Sequence, residues 1–166
     1  MNDAADIFAL PEKLRVLVTA GASGIGRAVA DLLIARGARV HICDVSDEFL
    51  ADYRAAHPKV GVTRADVSSD AAVARLFDDV KASLGGLDAL INNAGIAGPT
   101  GGVEEIKPED WRRTIDICLT GQFLCAHFAV PMLKAAGGAR SSICPPPRDA
   151  LATPSGHPIR RPNLAW

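Results

Sequence analysis

Leu14-Arg15-Val16-Leu17-Val18-Thr19-Ala20-Gly21-Ala22-Ser23-Gly24-Ile25-Gly26 decides the fold of this 166-residue chain. It opens on a short β-branched run, Leu14 to Thr19, and passes through Gly21, Gly24 and Gly26. It continues from Ile25 to Arg36 with apolar residues at helical spacing. That order is strand, tight turn, helix. Gly37 stands where a helix cap is needed, Arg39 to Cys43 reads as a second strand, and Asp44 sits at its carboxyl end, closing a βαβ unit.

The pattern repeats downstream. Ser46 to His57 reads as helix, Val60 to Arg64 as strand, Asp70 to Ser83 as helix and Leu87 to Ile91 as strand. Such alternation implies an α/β fold, a Rossmann-type doubly wound parallel sheet. A Gly-rich loop from Gly95 to Gly102 leads to Pro108, which suits a first helical turn. A long apolar-rich helix then runs from Glu109 to about Ala136, with Pro131 expected to kink or interrupt it near its end. The sheet is expected to stop after the fourth strand and this helix. Six of the chain's 11 prolines fall between Pro145 and Pro162, which a buried strand cannot tolerate. The reading therefore divides the chain into a nucleotide-binding unit, residues 1–140, and a Pro-rich disordered tail, residues 141–166.

Composition narrows the function. A net charge of -1 gives no electrostatic footprint for nucleic acid or an anionic membrane, and a small-molecule ligand becomes the default. Asp3, Asp6, Glu12 and Lys13 precede any apolar run, and no later stretch is expected to span a bilayer, so a cytoplasmic location is expected. Cys43, Cys118, Cys125 and Cys144 lie far apart, indicating reduced and mostly core thiols rather than a metal site or disulfides. His41, His57, His127 and His157 show no ligand spacing or paired carboxylate and receive no role.

Glycines at a strand-to-helix corner let the backbone approach a pyrophosphate, where the helix N-terminus offers unpaired N–H groups. Gly21, Gly24 and Gly26 are placed for that work. Asp44, 18 residues after Gly26, puts a carboxylate where it would accept hydrogen bonds from an adenosine ribose and repel a 2′-phosphate. Ser23, standing in the loop in place of Arg or Lys, offers that phosphate no cation. NAD is therefore favoured over NADP. A solvated strand-end carboxylate is the alternative for Asp44.

Thr19-Ala20-Gly21-Ala22-Ser23-Gly24-Ile25-Gly26, Asp66-Val67 and Asn92-Asn93-Ala94-Gly95 together resemble the short-chain dehydrogenase/reductase family. Ala20 stands at the family's usual first glycine, a departure that Gly21 is expected to offset in part by keeping the turn flexible. The resemblance implies that Ser23 and Ile25 face the pyrophosphate, Asp66 and Val67 the adenine, and Asn93, Ala94 and Gly95 the ribose near the nicotinamide. Paired amides bonding backbone between strands are the alternative for Asn92 and Asn93. The resemblance also implies a homodimer or tetramer through the 109–136 helix, whose apolar stripe could equally be core. Cys118 occupies a slot where the family commonly carries a catalytic-network asparagine, and a thiol is not expected to replace an amide's donor and acceptor pair.

The activity implied is hydride transfer between a nicotinamide and a secondary alcohol or ketone, with a tyrosine, a lysine and a serine handling the proton and the substrate oxygen. The chain has one tyrosine, Tyr53, and no Tyr-x-x-x-Lys, so no catalytic residue is assigned and turnover by this polypeptide lacks its proton donor. One base out of frame, the Cys144/Pro145 and Pro145/Pro146 junctions can encode Ser, Pro158/Ile159 Tyr and Pro162/Asn163 Lys. The Lys slot then follows the Tyr slot by four positions and the Tyr slot follows the second Ser slot by 13, as in the family. A one-base slip near Ala139 to Ser141 would produce such a tail, and a genuine Pro-rich tail is the alternative. A non-catalytic NAD-binding fragment or dimer partner is the second functional reading. A methyltransferase or nucleotide sensor on the same scaffold is the third, against which the Asn92 to Gly95 run speaks.

Overall fold

A computed structural model of the chain describes residues 10–137 and 140–143. The Pro-rich segment, with Cys144 and His157, lies outside the described residues. The elements run β1 (Arg15–Thr19), α1 (Gly24–Ala35), β2 (Arg39–Asp44), α2 (Asp47–Ala56), β3 (Gly61–Arg64), α3 (Asp70–Leu84), β4 (Ala89–Asn92), α4 (Pro108–Ile115), α5 (Gly121–Ala135) and β5 (Arg140–Ile143). All strand pairs are parallel, in the order β3-β2-β1-β4-β5. Both halves of the expected doubly wound sheet are therefore present.

One expectation is corrected. The sheet does not stop at its fourth strand, because Arg140–Ile143 pairs in register with Ala89–Asn92. An open parallel edge carries unpaired N–H and C=O groups, and a four-residue extended segment after α5 is enough to satisfy them. The boundary drawn between residues 140 and 141 cuts this strand.

Strand β1 shows how the core is divided. Val16 and Val18 point to the α1/α2 side, where they pack with Val40, Ile42, Leu50 and Tyr53. Leu17 points to the other side, with Cys43, Leu76, Val80, Leu90, Cys125, Ala129 and Leu133 beneath α3 and α5. A central parallel strand must be apolar on both faces, which is why Val16-Leu17-Val18 is apolar at every position. Local chemistry fixes the helix ends. Ser46 accepts from the Phe49 N–H and Ser69 from the Ala72 N–H, while Gly37 (φ +83°) and Gly85 (φ +75°) take the left-handed conformation after α1 and α3.

The long helix differs from its expected form in three respects. Asp116–Thr120 makes a π-turn between α4 and α5, so the helix is locally widened and underwound by one extra residue around Cys118. Pro131 lies inside α5 without ending it, since the helix continues to Ala135. A proline so near the end removes one hydrogen bond, to the carbonyl of exposed His127, and water can take its place. Pro108–Ala135 is also 28 residues long and apolar enough to cross a membrane by length and composition, contrary to expectation. Its Gly121, Cys125, Ala129 and Leu133 stripe is instead buried in the α/β core.

Candidate cofactor site

The corner between β1 and α1 is tighter than the sequence suggests. Ala20, not a glycine, takes the left-handed conformation, with φ +48°. Gly21 does not share that burden. Its missing Cβ would lie 2.8 Å from the Ile42 Cβ, so its smallness lets the loop lie on β2, where its N–H donates to the Cys43 carbonyl at 3.0 Å. The expected compensation at Gly21 is therefore corrected: the strain stays on Ala20. A left-handed alanine costs roughly 1–2 kcal/mol, and glycine returns part of that gain as unfolded-state entropy. Ala20→Gly is expected to raise stability by about 1 kcal/mol, read as a higher urea midpoint at unchanged m-value; a lower midpoint would place the strain elsewhere.

Gly24 (φ +52°) turns the chain into α1. Ser23 caps that helix without a side-chain bond to its first turn, and the turn contains no acidic residue. The N–H groups at this helix end thus face outward with the positive end of the helix dipole, and Ile25 stands exposed beside them. Gly26 is the tightest point. A Cβ there would run into the Ala20 carbonyl and come within 2.5 Å of Asn93 Nδ2.

Asn93 explains that closeness. Its Nδ2 donates to the carbonyls of Thr19 and Ala20, both at 3.1 Å, tying the end of β4 to the glycine corner. Thr19, which sequence reasoning missed, is the hub beneath: its Oγ1 accepts from the N–H groups of Asn93 and Ala94, each at 3.0 Å. Asn92 donates to the Gln122 carbonyl at 3.4 Å. Both asparagines thus do the backbone-bonding work that the sequence left open beside a ligand role.

Asp44 is 7% exposed at the end of β2. One carboxylate oxygen accepts from the N–H groups of Val45 (2.8 Å) and Ser46 (3.2 Å), and the other from the Ala22 N–H at 3.3 Å. It is not the solvated strand-end carboxylate of the alternative reading. With Ala20, Val45, Ala65, Asp66, Val67, Ala94, Gly95, Ile96, Arg113 and Ile117 it lines an open cleft of about 170 Å³ at the carboxyl ends of the strands, the usual ligand position in such sheets. Burial pushes Asp66 up, and hydrogen bonds from Ser68 and Arg113 outweigh it, holding the carboxyl below its ordinary value.

The Cys118 Sγ accepts from the Ile96 N–H at 3.3 Å and donates to the Ile96 carbonyl at 3.4 Å, so the thiol bonds one backbone unit in both directions. The π-turn at residues 116–120 carries Cys118, on the helix that flanks the cleft next to Gly95 and Ile96. Cys43 and Cys125 are buried as expected, and burial pushes their thiols up, Cys125 to about 12.

Tyr53 is fully buried, its hydroxyl donating to Asp31 at 3.0 Å, and burial first, then that carboxylate, push its ionisation up. It is thereby unfit to exchange a proton with a substrate in the cleft. His57 also meets Asp31, Nε2 to Oδ1 at 3.1 Å, and His41 lies between Ser83 and Thr63. The expectation of no paired carboxylate is corrected for His57 alone, since Asp31 comes from a distant element; the partners of His41 are hydroxyls.

Comparison with known proteins agrees with this geometry. A family described as Enoyl-(Acyl carrier protein) reductase matches residues 19–143. Cis-4-hydroxycyclohexanecarboxylate dehydrogenase of Sinomonas cyclohexanicum is 43% identical over 132 residues, covering 78% of this chain and 53% of the relative. The 2-dehydro-3-deoxy-L-rhamnonate dehydrogenase (NAD(+)) of Sphingomonas sp. (strain SKA58) is 41% identical over 124 residues, 75% of this chain and 50% of its own. The crystal structure of levodione reductase superimposes with a TM-score of 0.74 at 33% identity, covering 80% of this chain and 54% of that one. The chain spans about half the length of the curated relatives it matches. With Ala20 of the glycine corner, the strand-end carboxylate of Asp44 and Ala94 and Gly95 lining one cleft, and the family match over residues 19–143, this polypeptide belongs to the short-chain dehydrogenase/reductase family.

Proposed function

We propose that the chain is the cofactor-binding part of an NAD-dependent dehydrogenase acting on a secondary alcohol or ketone in the cytoplasm. Buried Asp44 carries the choice of cofactor. Three backbone N–H groups fix its carboxylate in the floor of the cleft, and Val45 follows it where a cation would be needed to accept a 2′-phosphate. The residues fit a dinucleotide: Ser23, Gly24, Ile25 and Gly26 at the helix end for the pyrophosphate, Asp44 for the adenosine ribose, Asp66 and Val67 for the adenine. Asn93, Ala94 and Gly95 would meet the second ribose. Bound there, the cofactor supplies or accepts a hydride. Asp44→Ser is expected to weaken NADH binding about tenfold while leaving NADPH unchanged or tighter, in titration calorimetry of the folded chain. NADPH binding more tightly than NADH to the unaltered chain would overturn the choice of cofactor.

A non-catalytic NAD-binding fragment or dimer partner is the second reading, since the one tyrosine of this polypeptide donates to Asp31 and no Tyr-x-x-x-Lys is present in it. A missing proton donor typically costs about 10²- to 10⁴-fold in rate. A frame slip near Ala139 to Ser141 accounts for the loss and is tested by sequencing the gene through that region. Association through the 109–136 helix is part of the same proposal: Leu119 and Phe123 are 63% and 64% exposed on it, and Trp111 stands out beside them. Sedimentation is expected to give a dimer or larger, and Phe123→Glu a monomer; a monomer in both cases removes the proposal.

A further inference from the structure

Arg113, which neither the glycine corner nor the strand-end motifs single out, reaches from the last turn of α4 across the mouth of the cleft. Its Nη2 donates to Asp66 Oδ2 and its Nη1 to Ser68 Oγ, each at 2.9 Å. Ser68 closes the frame: its hydroxyl donates to Asp66 Oδ1 at 2.7 Å and its N–H to the same oxygen at 2.9 Å. Every bond fixes the rotation of one carboxylate. Oδ1 is bonded twice, Oδ2 once, and a carboxylate oxygen has two acceptor directions, so Oδ2 keeps one to offer the cleft that both Asp66 and Arg113 line.

A stability role does not account for this arrangement. The Arg113 and Asp66 side chains are 52% and 35% exposed, and ion pairs that wet contribute little to folding. They are, however, well placed to hold an acceptor still for a ligand, where pre-organisation counts toward affinity. An acceptor with no proton to give distinguishes two purines: a 6-amino group donates to it and a 6-oxo group repels it. We infer that Arg113 is the positioning residue for adenine, clamping Asp66 so that the cleft accepts a 6-amino purine and rejects a 6-oxo purine. This rests on the dinucleotide reading given above.

The test titrates the full-length chain with NADH and with its 6-oxo analogue, reduced nicotinamide hypoxanthine dinucleotide, following nicotinamide fluorescence. The unaltered chain is expected to prefer NADH by about tenfold. Arg113→Met is expected to cost NADH about fivefold, to leave the 6-oxo analogue within about twofold, and to leave the melting temperature unmoved. Equal weakening of both ligands overturns the inference, as does an unaltered chain with no preference between them. Should Arg113→Met fail to fold, Arg113→Lys is read instead, since a lysine cannot bridge Asp66 and Ser68 as a fork: a reduced preference supports the clamp and an unchanged one overturns it. If the unaltered chain binds neither dinucleotide, the dinucleotide reading itself falls.

Discussion

Gly26→Ala is expected to lose about 3–4 kcal/mol of folding stability, a large share of what a domain of this size possesses. The added methyl has nowhere to go. Backbone lies in front of it, the Ala20 carbonyl, and beside it is the Asn93 amide at 2.5 Å, which holds the Thr19 and Ala20 carbonyls. Relief requires α1 to move away from the corner, and that movement breaks the two Asn93 bonds and turns the helix end away from the cleft. Affinity for NADH is expected to fall with stability. Gly24→Ala is the control, because Gly24 has a left-handed φ of +52° but nothing within 4 Å of its missing Cβ. That substitution should cost only the strain of a left-handed alanine, roughly 1–2 kcal/mol. Urea unfolding of the two variants decides the matter: equal losses would falsify the close-approach account of Gly26.

Acid is expected to remove about 2.5 kcal/mol of stability between pH 7 and pH 4.5 through His41 alone. His41 is buried on β2 facing α3, between Ser83 (Nδ1 to Oγ, 2.7 Å) and Thr63 (Nε2 to Oγ1, 3.0 Å), and Thr63 donates in turn to Asp79 at 2.7 Å. The carboxylate accepts the only hydroxyl proton of Thr63, so Thr63 must accept from His41 Nε2–H. Ser83 Oγ lies 2.7 Å from Nδ1 and 3.3 Å from the Val80 carbonyl; its proton goes to the nearer acceptor, Nδ1, and the ring is neutral with both nitrogens bonded. Burial lowers its pKa from 6.5 to about 4, against the raising effect of Asp79. The unfolded chain therefore takes up a proton that the folded chain refuses, and stability present above pH 6.5 is lost as pH falls toward 4. Asp88, held below its ordinary value by Arg15, and Asp66 lose their contributions only below pH 3.8, outside this window. Stability measured in urea at the two pH values should show the loss in the unaltered chain and a shallower slope in His41→Asn. Parallel slopes would assign the acid sensitivity to other groups.

Much of this was legible in the sequence, for reasons of range. The strands and helices of residues 14–92 announce themselves because period and caps are local: apolar residues recur at helical spacing from Ile25 to Arg36, and Gly37 follows that helix. The glycine corner and Asp44 were readable for the same reason, since a phosphate-binding turn and the carboxylate at the next strand end sit at a spacing that the βαβ unit imposes. The short β5 was hidden because four residues after a helix carry no periodicity of their own and become strand only beside an open edge.

Side-chain roles that depend on partners far along the chain were not readable. Arg113 meets Asp66 across 47 residues, His41 meets Ser83 across 42 and Asn93 meets Thr19 across 74. Nothing in sequence spacing distinguishes such residues from solvated or core ones. By itself, the sequence determined the order of elements, the parallel sheet and the place of the glycine corner, because backbone propensity and apolar period act within a few residues. Only the tertiary structure decided that Ala20 bears the left-handed strain, that the Cys118 thiol spans the Ile96 backbone, and that Tyr53 is sealed away from the cleft. Those outcomes depend on which surfaces the packed helices bring within 3–4 Å, and packing is set by the whole fold.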